Sequence, residues 1–203
     1  MGVFSYFSSM SELLQILVNL DHQIFHWINI TLAFPFGDIF FPAITDLHKT
    51  WQFKFLFAPF LLFLFARSKA WDGVVIFFGL ALTLGFADKM GSLVKHGFER
   101  QRPFEIIEAL QRSPAGGFSF PSNHAINMFG MFFFMSYFFP KFRWLYICIA
   151  VLVAYSRVYN GVHFPSDVLA GAVIGSLFGM LGSSLVQKLL HKLEPRFKRG
   201  VRG

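Results

Sequence analysis

Charge is scarce in this chain: Asp, Glu, Lys and Arg make up only 14% of its 203 residues, against about a quarter in soluble globular domains. A water-exposed globule is therefore excluded. With 55% hydrophobic residues and 30 phenylalanines, the composition is that of an integral membrane protein. Cysteine is nearly absent: the single Cys148 lies in an apolar run, which excludes a disulfide framework and a cysteine-based metal site. Residues 1–10 hold no basic residue and no small-residue cleavage site, so no secretory leader is expected. No Ser/Gly linker or low-complexity tract divides the chain. The expectation is one membrane domain over residues 1–203, with an N-terminal segment (1–50), a helical core (51–187) and a basic cytoplasmic tail (188–203). The net charge of +7 does not point to nucleic acid, because Lys and Arg are divided among short loops and not gathered on one soluble face.

What is abundant is long apolar sequence. A spanning helix needs about 20 mostly apolar residues, and five segments approach that, at 51–67, 72–94, 120–139, 142–157 and 166–187. In the N-terminal segment, Leu13, Leu14, Ile16, Leu17, Leu20, Ile24, Phe25 and Ile28 recur at helical spacing opposite Glu12, Asp21 and His22. That pattern predicts an amphipathic helix lying in the interface. Residues 30–44 are apolar but carry Pro35, Gly37, Asp38 and Pro42, and admit a broken span, a re-entrant segment or a surface loop. The fold class expected is all-α: a polytopic transmembrane bundle of five spans plus an amphipathic or broken sixth segment.

Alternate threading puts Arg67 and Lys69, Lys141 and Arg143, and the tail residues Lys188, Lys192, Arg196, Lys198, Arg199 and Arg202 on one side. By the positive-inside rule that side is cytoplasmic. The same threading places residues 95–118 and 155–166 together on the opposite face, and there three polar islands interrupt the apolar chain. They read Lys95-x6-Arg102-Pro103, then Pro121-Ser122-Asn123-His124, then Ser156-Arg157-x5-His163-x3-Asp167. Lys95, Arg102 and Arg157 can supply fixed positive donors to a phosphate, arginine's planar fork matching two oxygens at a time. A helix starting near Pro121 offers N–H groups and the Ser122 hydroxyl to an anion, although the same groups serve equally as a cap. His163 and Asp167, four apart, share one side of a helix start, and a carboxylate beside imidazole fixes its tautomer. His124, His163 and Asp167 are also conceivable metal ligands, but three nearby cations favour an anion. Asp88 is placed to pair with Lys95 or Lys89. Gly171, Gly175 and Gly179 form a small-residue ladder suited to close helix packing or to a homo-oligomer.

These three ordered motifs resemble the signatures of the type-2 phosphatidic acid phosphatase superfamily of membrane lipid phosphatases. The resemblance covers residues 95–167, and its one departure is Asn123, where the family most often has Gly. It implies hydrolysis without metal or other cofactor through a phosphohistidine. His163 would attack phosphorus with Asp167 orienting it, and His124 would protonate the leaving oxygen. Lys95, Arg102, Ser122, the Asn123 amide and Arg157 would hold the phosphoryl oxygens. The substrate would be a membrane lipid phosphate or diphosphate, undecaprenyl diphosphate slightly ahead of phosphatidylglycerol phosphate, phosphatidic acid and lipid A 1-phosphate. The setting expected is a bacterial inner membrane with the site on its extracytoplasmic face. Two other readings use the same cleft: a lipid phosphotransferase working through the same histidine, and a non-catalytic binder or transporter of anionic lipids.

Overall fold

The computed structural model describes residues 2–47, 55–56 and 58–200, which form helices and connecting loops with no strand among them. Residues 51–54 and 57 of the first expected span, and the tail cation Arg202, lie outside the described residues. The helices are α1 (Gly2–His26), α2 (Pro35–Asp46), α3 (Ala58–Phe98), α4 (Pro103–Ile106), α5 (Asn123–Phe138), α6 (Arg143–Tyr159) and α7 (Pro165–Gly200). A π-helical turn, Trp27–Thr31, follows α1, and a 3₁₀ turn, Pro140–Phe142, precedes α6.

Leu13, Leu14, Ile16, Leu17 and Leu20 of α1 are exposed, while Asp21, Phe25 and Asn29 are buried. Of the polar stripe, Asp21 is buried and His22 half-buried against protein, while Glu12 stays exposed with the leucines. A carboxylate facing lipid would lack solvation, and Asp21 is turned to protein partners. After a 114° bend, residues 35–46 form a helix and not a surface loop.

Among the described residues three helices are long and apolar enough to cross a membrane: Ala58–Ile106, Pro140–Tyr159 and Pro165–Leu193. A fourth is added if the bent pair Ser11–Thr31 and Pro35–Thr45 counts as one span. These three to four candidate spans do not by themselves confirm the five spans and a sixth segment expected from sequence. The segments expected at 72–94 and, in part, 51–67 fall within α3, which is interrupted only at Lys69 (φ −137°, ψ 18°) and Ala70 (φ 49°, ψ −129°). The Phe65 carbonyl comes against Gly73 across that break, although residues eight apart on a straight helix are separated by about 12 Å. The span expected at 120–139 is α5, whose 16 residues reach about 24 Å, short of the roughly 30 Å hydrocarbon core. The protein is an integral membrane protein in which α5 is the central helix, packed against α3, α6 and α7.

The glycine ladder accounts for the closest of these contacts. Gly171, Gly175 and Gly179 lie against the backbones of Ser122, Ile126 and Gly130, and each pair is 49 residues apart (171−122, 175−126, 179−130). A constant offset means that α5 and α7 run parallel in register. The ladder is thus filled within the chain, and that face is not open for a second copy. α3 runs antiparallel to α7, with Gly79 at Val186 and Gly182 at Thr83. Lys95, at the end of α3, consequently lies beside the starts of α5 and α7.

Candidate active site

At this end of the bundle a cavity of about 270 Å3 is lined by Lys95, Arg102, Asn123, His124, Arg157 and His163, with Pro114, Ala115 and Gly116 as a loop wall. Of the eight residues singled out from sequence, Ser122 and Asp167 do not line it; both are fully buried behind it. The island motifs supply local reasons for this placement. Ser122 is the N-cap of α5, its hydroxyl accepting from Ala125 N at 3.5 Å, and its own N–H donates to the Asp167 carbonyl at 3.0 Å. The capping reading of Ser122 is the one the side chain adopts. α6 ends in a turn with Gly161 at φ +76° close to the Leu110 carbonyl, a conformation that favours glycine. That turn delivers His163, and Pro165 opens α7 two residues later.

Buried charge is costly unless it is hydrogen-bonded, and here loop carbonyls do much of that work. Arg102 donates through Nε to Gly117 O at 2.9 Å, through one terminal nitrogen to Val162 O at 2.7 Å, and through the other to Gly116 O at 2.9 Å and Phe118 O at 3.2 Å. Lys95 Nζ donates to the carbonyls of Phe118, Ser119 and Pro121 at 3.2, 3.2 and 2.5 Å. Both cations thus organise residues 116–121, and an incoming anion competes with those carbonyls for their N–H groups. Loop residues 110–113 are pinned from outside the cavity. Asn29 exchanges hydrogen bonds with Leu110, and Arg112 reaches the Asn29 and Tyr159 carbonyls and Asp38.

Asn123 lines the cavity, but its side chain points to α3: Nδ2 donates to Asp88 Oδ1 and Ser92 Oγ, both at 3.1 Å. Gly91 leaves the space for it. Asp88, for which Lys95 or Lys89 was the expected partner, accepts instead from the amides of Asn123 and Asn127.

His163 is 2% exposed. Its Nδ1 is 3.6 Å from Asp167 Oδ2 and 3.5 Å from Ser119 Oγ, and its Nε2 is 3.4 Å from the Arg102 guanidinium. Burial pushes the imidazole pKa down from 6.5 to about 3, with Arg157 and Arg102 acting in the same direction and Asp167 opposing. The ring is neutral at physiological pH, so one of its nitrogens carries a lone pair. Asp167 Oδ2 also accepts from Ser119 Oγ and from Phe164 N at 2.8 Å, and its Oδ1 accepts from Arg100 at 2.6 Å. Neither Ser119 nor Arg100 is among the residues singled out from sequence. Both lie at or beside the islands, Ser119 two residues before Pro121 and Arg100 two before Arg102, and adjacency was the one available signal.

A cavity with convergent cations, two histidines and a buried carboxylate at a membrane surface suits phosphoryl transfer. A family model described as the PAP2 superfamily matches residues 72–190. The chain belongs to the PAP2 superfamily. This PAP2 protein is 31% identical to the lipid A 4'-phosphatase of Bacteroides thetaiotaomicron over 197 residues, 90% of this chain and 84% of the relative. It is 35% identical to the undecaprenyl-diphosphatase of Sulfolobus acidocaldarius over 127 residues, 60% of this chain and 58% of that relative. The crystal structure of Aquifex aeolicus LpxE superposes with a TM-score of 0.66 at 28% identity, covering 80% of this chain and 94% of that one. As a PAP2 member the protein is an enzyme, a phosphatase that hydrolyses phosphoric esters or anhydrides, and the non-catalytic reading falls away.

Proposed function

We propose that the protein removes a terminal phosphate from a membrane lipid through a phosphohistidine on His163, without a metal ion. The observation that carries this is the placement of one ring: Nδ1 faces Asp167, while Nε2 faces Arg102 in the cavity that His124 and Arg157 also line. A guanidinium N–H beside Nε2 favours the lone pair there and the proton on Nδ1. The Nε2 lone pair forms the N–P bond as the P–O bond to the lipid breaks, and His124 gives its proton to the departing oxygen. Water then gives a proton back to His124 as it attacks phosphorus, the P–N bond breaks, and inorganic phosphate leaves with the His163 imidazole restored as neutral base and His124 reprotonated. Lys95, Arg102, Arg157 and the first-turn N–H groups of α5, from Asn123 onward, hold the phosphoryl oxygens, with Ser122 setting that turn. Brief labelling with a ³²P-lipid should trap acid-labile, base-stable radioactivity on the chain. Its absence in wild type, or full activity in His163→Ala, would overturn this assignment.

The matched length of relatives guides the substrate. The relative aligned over most of the chain is named for lipid A, which supports a sugar-linked lipid phosphate ahead of the isoprenyl diphosphate favoured by sequence alone; the Sulfolobus relative keeps the latter as the second reading. Phosphate release from lipid A, undecaprenyl diphosphate and phosphatidylglycerol phosphate, assayed side by side, decides between them. We place the enzyme in a bacterial inner membrane with the cavity extracytoplasmic. Lys69, beside Gln187 and His191 at the far end of the bundle, supports that orientation. A membrane-impermeant thiol reagent on intact cells should label Ala115→Cys and spare Lys69→Cys.

A further inference from the structure

We infer that α1, which lies outside the matched residues 72–190, belongs to the catalytic apparatus, because Asp21 and Arg100 act as positioning residues for Asp167. This rests on the proposed roles of Asp167 and His163.

Asp21 is 8% exposed. Its Oδ1 accepts from Ser166 N at 2.9 Å, and its Oδ2 from Ser166 Oγ at 2.5 Å and Arg100 at 2.7 Å. Arg100 presents its other terminal nitrogen to Asp167 Oδ1 and Ser166 Oγ, both at 2.6 Å. One planar guanidinium therefore spans two carboxylates from opposite ends of the chain, the geometry in which Arg confers direction as well as charge. Its plane is further held by Phe164, whose ring centre is 4.1 Å from the guanidinium carbon. Phe164 in turn stacks on His22 of α1 at 4.9 Å and meets Phe25 at 5.5 Å. Three consecutive-turn residues of α1 thus clasp the segment that carries His163 and Asp167.

The arrangement divides the Asp167 carboxylate into two sides. Oδ1 is fixed by Arg100, which leaves Oδ2 directed at Ser119 and His163 Nδ1. Asp21 also matters electrostatically. An Arg100 paired to Asp167 alone would neutralise the carboxylate that must stabilise a cationic imidazole as the N–P bond forms. Sharing the guanidinium with Asp21 leaves the triad with a net negative charge.

The test uses the protein in detergent micelles, with phosphate release from lipid A and the ¹⁵N resonance of His163 Nδ1 as independent readouts. Asp21→Asn and Arg100→Gln should each lower kcat by about 10- to 100-fold, the range for losing a charge-assisted hydrogen bond to a catalytic group, with KM within about threefold. Both should move the Nδ1 resonance in the direction that Asp167→Asn moves it, and Asp21→Glu should restore part of kcat. An unchanged Nδ1 resonance with wild-type kcat per folded molecule, even with a lowered melting temperature, would reduce Asp21 to a structural role and overturn the inference. His163→Ala separates the two layers: activity surviving there defeats the nucleophile assignment, whereas an inactive His163→Ala beside a fully active Asp21→Asn defeats only this one.

Discussion

The α-carbon of Gly175 on α7 rests against the backbone of Ile126 on α5 with no space for a methyl group between them. With the same contact at Gly171 and Gly179, it holds the first turns of α5 and α7 level, so that Ser122 N reaches the Asp167 carbonyl at 3.0 Å. The second and third islands meet because two helix backbones touch.

Gly175→Leu should therefore damage fold and activity together. Overpacking costs about 1–3 kcal/mol, and here the obstacle is backbone that no rotamer change relieves. Thermal unfolding in micelles should show the lowered midpoint, and phosphate release should fall with it as the helix starts part. Gly85→Ala is the control: a methyl there meets nothing within 4 Å, and both readouts should stay at wild-type levels.

Ser119→Ala removes one donor from Asp167 Oδ2 and leaves Phe164 N in place. The carboxylate stays buried but is less firmly aimed at His163. We expect kcat to drop about tenfold, consistent with losing one hydrogen bond to a charged group, with KM little changed. A kcat equal to wild type would remove Ser119 from the site.

Asn123→Gly tests the departure from the family pattern. It deletes hydrogen bonds to Asp88 and Ser92 while keeping the backbone N–H at the start of α5. Stability should fall by about 1–2 kcal/mol, read as a lower melting temperature, with kcat within about threefold of wild type. A loss of activity with stability intact would assign the side chain to the reaction.

The neutral burial of His163 predicts a pH dependence of stability. Its pKa is about 3 when folded and 6.5 as the ordinary value, so between those limits the unfolded chain binds the extra proton. Stability should fall as pH drops below 6.5, by up to about 1.4 kcal/mol per pH unit from this one group. Chemical unfolding from pH 7 to pH 4 should show a shallower loss for His163→Gln than for wild type. Equal slopes would mean that His163 is protonated in the folded protein.

The motif spacings were legible because each island is a local object: a cap, a helix start, an i,i+4 pair. They identified the lining residues Lys95, Arg102, Asn123, His124, Arg157 and His163 and the buried Asp167. The number of spans was less legible, since hydropathy registers apolar length and not whether two limbs join through a two-residue break, as at Lys69 and Ala70, or whether a central helix such as α5 is shorter than the bilayer. The partners of Lys95 and Arg102 were beyond local reading, because loop carbonyls are the same in every sequence and only the path of residues 116–121 brings them near.

By itself, then, the sequence determined the membrane class, the all-helical architecture and the phosphate-directed chemistry, all of which follow from composition and short-range spacing. Tertiary structure decided what the polar stripe of α1 faces, what fills the glycine ladder and which donors aim Asp167. Asp21 and Ser166 are 145 residues apart along the chain, and helical periodicity says that a carboxylate lies on one side without saying whether water or protein will meet it. In this protein exposed leucines occupy the other side, and the Asp21 carboxylate turns inward and ties the first helix to the start of the last.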